Sequence, residues 1–128
     1  MELKDIYIKY PNRIDCVEYL EELKWKSIPF CPYCNSRNFT KVKSTIRYHC
    51  NNCNTSYSVL VDTIFKSTKL DLQKWFVAIN LILVENEGLS MRKLANKIKV
   101  TKDTAWRMNN EIKKYYFEGD ILLNKIIN

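Results

Sequence analysis

The feature that most constrains this chain is the spacing of four of its five cysteines. Cys31-Pro-Tyr-Cys34 and Cys50-Asn-Asn-Cys53 form two Cys-x-x-Cys knuckles with fifteen residues between them. Two residues between cysteines let the backbone wrap tightly enough for both sulfurs to reach one ion about 2.3 Å away. The intervening stretch is long enough for a hairpin that returns the second knuckle to the first, which is the spacing of a structural zinc site. Four thiolates close a tetrahedral shell around a single Zn²⁺, so the predicted metal is structural and leaves no position open for water or substrate. A ~40-residue β-module buries too little surface to fold unaided, and metal ligation can supply ~10 kcal/mol or more. A thioredoxin-like redox centre needs only one Cys-x-x-Cys, between a strand and a helix. The usual iron–sulfur clusters show other spacings. His49 adjoins a ligand, but with four thiols present it reads as an exposed strand residue or a phosphate contact. Cys16 stands alone on a predicted helix and reads as a small core residue.

Periodicity around the knuckles predicts an α+β fold: an N-terminal helix, a small β zinc ribbon, then a helical helix-turn-helix domain. The expected organisation is an N-terminal helical segment over 1–30, the ribbon over 31–70, the helix-turn-helix domain over 71–117 and a C-terminal tail over 118–128. Asn12 to Trp25 reads as a helix capped by Asn12, with Ile14, Val17, Leu20 and Leu23 on one stripe and Glu18, Glu21, Glu22 and Lys24 facing water. Strands are expected at Phe39–Val42, Ile46–His49 and Ser56–Leu60, with turn residues at 51–54. Residues 61–70 read as an irregular connection, with Ile64 and Phe65 buried between the two halves. Asp71 is placed to cap a buried central helix from Leu72 to Glu87, ended by Gly88. Ser90 and Thr101 are placed to cap two further helices, Met91 to about Ile98 and Lys102 to about Phe117.

Those last two helices fit a helix-turn-helix. Ala95 is small enough for a close crossing, and Ile98, Val100 and Ala105 fill the angle between the helices. Ala105, Met108, Ile112 and Tyr115 face inward at three- and four-residue steps. Lys102, Asp103, Trp106, Arg107 and Asn110 face outward near the N-terminal half, the part of such a helix that enters a major groove. Arg107 suits a guanine and Asn110 an adenine. Thr101, Lys102 and Thr104 suit phosphates, and Ser90, Arg92 and Lys93 suit backbone contacts. Lys43 and Arg47 are candidate contacts from the ribbon. Trp106 has two readings, stacking on a sugar or base and packing against the zinc module. The turn carries Lys99 where glycine is usual, and a left-handed residue there costs ~1 kcal/mol.

Charge supports a polyanionic partner. The net charge is +7. Residues 31–70 hold six Lys/Arg against one Asp/Glu, and residues 91–128 hold nine against four, so the excess sits in two separate blocks. The N-terminus shows no apolar run after a basic start, so no signal peptide is expected. Leu72 to Val84 is too short for a bilayer and contains Gln73, Lys74 and Asn80. The expectation is an intracellular protein in the cytoplasm, with no membrane partner and no disulfide framework.

Taken together, Cys31–Cys34, Arg47–Cys53, Thr63–Phe65, Lys69–Phe76 and Leu94–Trp106 resemble the N-terminal region of zinc-ribbon insertion-sequence transposases of the DDE class. The resemblance spans roughly residues 12–117 and implies recognition of the terminal repeats of a mobile element. In that family a DDE nuclease follows, opening with Gly-x-Val-Glu-x-Asp-Glu. Here Gly119 to Lys125 occupies that register, and Asn124 stands where the resemblance places the first metal-binding acid. The chain ends three residues later, so the expectation is a protein that binds DNA without cutting it, and no enzyme.

Two functions therefore stand. The first is a zinc-dependent, sequence-specific binder of double-stranded DNA, serving terminal-repeat binding or transcription regulation. The second is a zinc-ribbon adaptor docking onto a polymerase or another large complex. The apolar tail, Tyr115 to Phe117 with Ile121, Leu122, Leu123, Ile126 and Ile127, serves either a homodimer or protein partner, or packs on the chain's own first helix.

Overall fold

The computed structural model describes residues 2–26 and 28–128. Met1 and Ser27, inside the expected 1–30 segment, lie outside the described residues. The chain is α+β, in the order α1 (Leu3–Lys9), α2 (Arg13–Trp25), β1 (Phe39–Lys41), β2 (Tyr48–Cys50), β3 (Ser56–Tyr57), α3 (Leu72–Leu83), α4 (Met91–Ile98), α5 (Lys102–Phe117) and α6 (Ile121–Ile127). It divides into two compact units, Ile14–Ser67 and Met1–Arg13 with Thr68–Asn128.

The unit of residues 14–67 combines α2 with a three-stranded antiparallel sheet in the order β1-β2-β3. Phe39 pairs with Cys50 and Lys41 with Tyr48, and Tyr48 pairs with Tyr57. The strands are shorter than the alternation suggested: β3 ends at Tyr57, where residues 58–60 enter a turn, and past Lys41 the β1–β2 ladder keeps the single bond from the Val42 N–H to the Arg47 carbonyl at 3.1 Å. An aromatic cluster joins helix to sheet. The Trp25 ring meets Tyr48 edge-on at 5.7 Å and Tyr57 at 5.9 Å, and Phe39 meets Tyr48 at 5.4 Å. Such pairs add ~1 kcal/mol each beyond their buried area.

That packing corrects the expected face of α2. Cys16, Val17 and Leu20 are buried, but Ile14 is 59% exposed. Trp25 is buried as well, at the other end of the helix, while Ile14 sits in its first turn. Glu21 and Lys24, expected in water, turn toward the ribbon. Glu21 accepts a 2.9 Å hydrogen bond from Tyr48 Oη, and burial pushes its carboxyl up against the opposing pull of that bond. Lys24 Nζ donates to the carbonyls of Val59 and Val61 at 3.2 and 3.1 Å. Ile64 and Phe65 are buried.

The helical unit is built on α3, which packs against α1, α4, α5 and α6. Nine of its twelve residues are buried, as a helix apolar around most of its circumference requires. Gln73 is among them and donates from Nε2 to the Tyr10 carbonyl at 2.7 Å, so its buried amide has a partner. Two expectations for α3 are corrected. Asp71 makes no side-chain cap bond; its carboxylate accepts instead from Tyr7 Oη at 2.5 Å, tying α1 to the start of α3. The helix also stops at Leu83, short of Glu87. Beyond it Glu85 and Glu87 would place negative charge at the negative end of the helix dipole.

The next two helices run as expected. Ser90 accepts from the Lys93 N–H and caps α4, and Thr101 accepts from the Thr104 N–H and caps α5. Leu94, Ala95, Ile98, Ala105, Met108 and Ile112 are buried between them and α3. The residues of 118–128 include a helix, α6, capped by Asp120, whose carboxylate accepts from the Leu123 N–H at 2.9 Å. Leu122 and Leu123 are buried, and α6 packs on α3 and α5.

The turn between α4 and α5 holds Lys99 at φ 56°, ψ 54°, in the left-handed region. Glycine takes that conformation without Cβ strain. Lys99→Gly is therefore expected to raise the stability of the helical unit by about 1 kcal/mol in urea unfolding followed by far-UV circular dichroism. An unchanged midpoint would refute the strain assigned to this turn.

Candidate metal centre and nucleic-acid interface

The knuckles are two copies of one local structure. In the first, the Asn35 N–H donates to the Cys31 carbonyl and the Cys31 N–H to the Ser36 carbonyl, both at 2.9 Å. In the second, Asn54 to Cys50 and Cys50 to Thr55 repeat the pattern, again at 2.9 Å. Each knuckle closes through an asparagine in the left-handed region, Asn35 at φ 63° and Asn54 at φ 58°. Asparagine tolerates that conformation better than most residues. Asn54 falls in the expected turn at 51–54, whereas the matching role of Asn35 was not expected, although its signal is present as Cys-x-x-Cys-Asn repeated.

Side chains tie the knuckles together. Asn52 Nδ2 donates to Ser36 Oγ at 2.6 Å, and Asn51 Nδ2 to Asn38 Oδ1 at 3.0 Å. The four sulfurs lie within 4.8 Å of one another. Cys31 and Cys53 approach to 3.6 Å and Cys34 and Cys50 to 3.5 Å, too far for disulfides. A tetrahedron with arms of about 2.3 Å has edges of about 3.8 Å, so the arrangement fits one zinc ion held by four cysteines. The Tyr33 N–H also points at Cys31 Sγ, at 3.4 Å. Cys16 is buried on α2 and lies outside this group.

The thiols titrate unequally. At Cys34 the backbone N–H of Ser36 pulls downward, but hydrogen bonding with Cys50, desolvation and the other two sulfurs outweigh it and push the thiol up to about 12. At Cys53 a hydrogen bond from Thr55, with those from the other sulfurs, overcomes desolvation and brings the thiol down to about 6. Cys50 is lowered as well, chiefly by the Cys53 N–H. Ligation requires thiolates, so at neutral pH a metal ion must displace the Cys34 proton.

The residues predicted to meet DNA fall in both units. Ser90, Arg92 and Lys93 are exposed around the start of α4. Lys93 Nζ donates to the Gly88 carbonyl at 3.1 Å. Lys102, Asp103, Trp106, Arg107 and Asn110 are exposed on α5, with Trp106 57% accessible. Thr101 and Thr104 are joined by a 2.9 Å hydroxyl–hydroxyl bond within the cap. Lys43 is exposed in the β1–β2 turn. Arg47 is partly engaged, giving Nε to Ser56 Oγ at 2.7 Å and Nη2 to the Ser56 carbonyl at 3.0 Å. Asn124 lies on α6, its amide donating to the Asp120 carbonyl at 3.0 Å. No helix of the described residues is long and apolar enough to cross a membrane.

Comparison with known proteins agrees with the geometry of the ribbon. Residues 11–56, which take in α2 and both knuckles, match the transposase zinc-ribbon domain family. An uncharacterized protein in the transposable element ISH50 of Halobacterium salinarum is 28% identical over 91 residues, covering 69% of this chain and 30% of the relative. The chain thus spans about a third of that relative's length. No solved structure matches. The resemblance drawn from the motifs therefore holds for the ribbon, as does the assignment of one structural zinc ion.

Zinc titrated into metal-free protein at pH 7 in weak buffer is expected to bind at one ion per chain and to release at least one proton per ion. Protons compete for the same sulfurs, so affinity is expected to fall as pH falls. Calorimetry in two buffers of different ionisation enthalpy measures both, and binding without proton release would contradict the titration order given above.

Proposed function

We propose that this protein is a zinc-stabilised, sequence-specific binder of double-stranded DNA, acting on the ends of a mobile element or as a transcription regulator and carrying no catalytic centre of its own. The observation that carries the proposal is the α4–α5 pair. Two capped helices meet across a short left-handed turn, and the N-terminal half of α5 exposes Lys102, Asp103, Trp106, Arg107 and Asn110. This supports reading the pair as a helix-turn-helix, a motif in which such a face enters the major groove. Asn110 is suited to an adenine edge, Lys102 to a phosphate, and Trp106 to stacking or a thymine methyl. The match of residues 11–56 to a transposase zinc ribbon supports DNA as the partner. The zinc then has a structural part only, and an intracellular location follows from this reading.

A second reading, a protein or self-association surface at the C-terminal end, rests on Phe117, 81% exposed, and Ile121, 71% exposed. These residues make it an addition to DNA binding, since Leu122 and Leu123 are committed to the helical core.

Substituting Lys102 and Arg107 together by glutamine separates the two readings. Affinity for a selected duplex is expected to fall at least tenfold at fixed salt, while any association through the C-terminal end is unchanged. Equal binding by wild type to selected and scrambled duplexes would remove the claim of sequence specificity.

A further inference from the structure

Residues 68–70, the first turn of α3 and one flank of α5 enclose an open groove of about 300 Å³. Its floor is apolar, with Trp75 and Met108 buried beneath it. The Trp75 Nε1–H donates to Thr68 Oγ1 at 2.9 Å, which anchors the segment and presents Lys69 at the rim. Arg107 rises on the other side. Both cations are exposed, and neither side chain is hydrogen-bonded or ion-paired among the described residues.

Two unpaired cations over an apolar floor attract an anion, because such a floor offers no compensating charge. Glu111 lies one helical turn beyond Arg107 on the same wall, so the rim carries one net positive charge. A phosphodiester, singly charged, balances it. Thr104, also on the rim, already accepts from Thr101 Oγ1, which leaves its own O–H to donate. The groove is open to solvent, as access by the backbone of a nucleic acid requires.

We propose that Lys69 and Arg107, from segments far apart in the chain, clamp one backbone phosphate of the bound DNA in this groove. The inference rests on the DNA-binding reading above and deepens it. Lys69, the first residue of the Lys69–Phe76 motif, becomes a phosphate contact. Arg107 becomes a positioning residue that sets the register of α5, and base reading falls to the face around Trp106 and Asn110.

The test is a salt titration of wild type, Lys69→Gln and Arg107→Gln on selected and scrambled duplexes, with folding checked by circular dichroism. A lost phosphate contact lowers the slope of log K against log salt by about 0.9, which is about fivefold in affinity at 0.15 M salt. Each variant is expected to show that drop equally on both duplexes. Wild type that binds both duplexes while Lys69→Gln keeps the full slope overturns the clamp and leaves the DNA reading intact. An Arg107→Gln loss confined to one base pair of the selected duplex also overturns it, because Arg107 would then be reading a base. Absence of salt-dependent binding by wild type removes the DNA reading, and the clamp with it.

Discussion

Four sulfurs within 4.8 Å of one another are what make residues 14–67 able to fold. The sheet there has strands of three, three and two residues. Strands this short bury little apolar surface, and a unit of this size is marginal without a further constraint. The aromatic cluster of Trp25, Phe39, Tyr48 and Tyr57 contributes a few kcal/mol, whereas closing a four-thiolate shell contributes ~10 kcal/mol or more. The metal term is therefore the larger one. The helical unit stands on different physics. Its α3 is buried along most of its length, the ordinary hydrophobic solution to folding, and it has no structural call on the metal.

The parts legible in the sequence were those with local signatures. Cysteine spacing announced the metal centre. Ser90 and Thr101 announced two caps, and the missing glycine at Lys99 marked a strained turn in the helical unit. The parts that were not legible depend on partners distant in the chain. Ile14 has the right residue type for the core of α2, but the face is chosen by the ribbon. Glu21 and Lys24 look like solvated charges until Tyr48, Val59 and Val61 are brought to them. Asp71 has the composition of a cap and is taken by Tyr7 across 64 positions of sequence. Asn35 and Asn54 are a different case, since their repeated position after each knuckle was local and readable.

Function divides along the same line. The zinc ribbon follows from spacing, geometry and similarity together. The proposed DNA contacts follow from exposure and charge on α5, where each residue is individually ordinary and only their grouping on one face of a capped helix carries meaning. The ribbon's own basic residues differ in availability: Arg47 is partly committed to Ser56, while Lys43 extends from a turn. On this account the metal bears on DNA binding only through the fold of the ribbon and its Lys43 and Arg47, because four thiolates leave the ion no position for chemistry.

The most direct measurement is an amide-resolved NMR spectrum of the zinc-loaded protein before and after a strong chelator. The account predicts that resonances of residues 39–57 collapse to unfolded positions while those of α3, α4 and α5 keep their dispersion. A ribbon that keeps its resonances with the metal stripped out would contradict it.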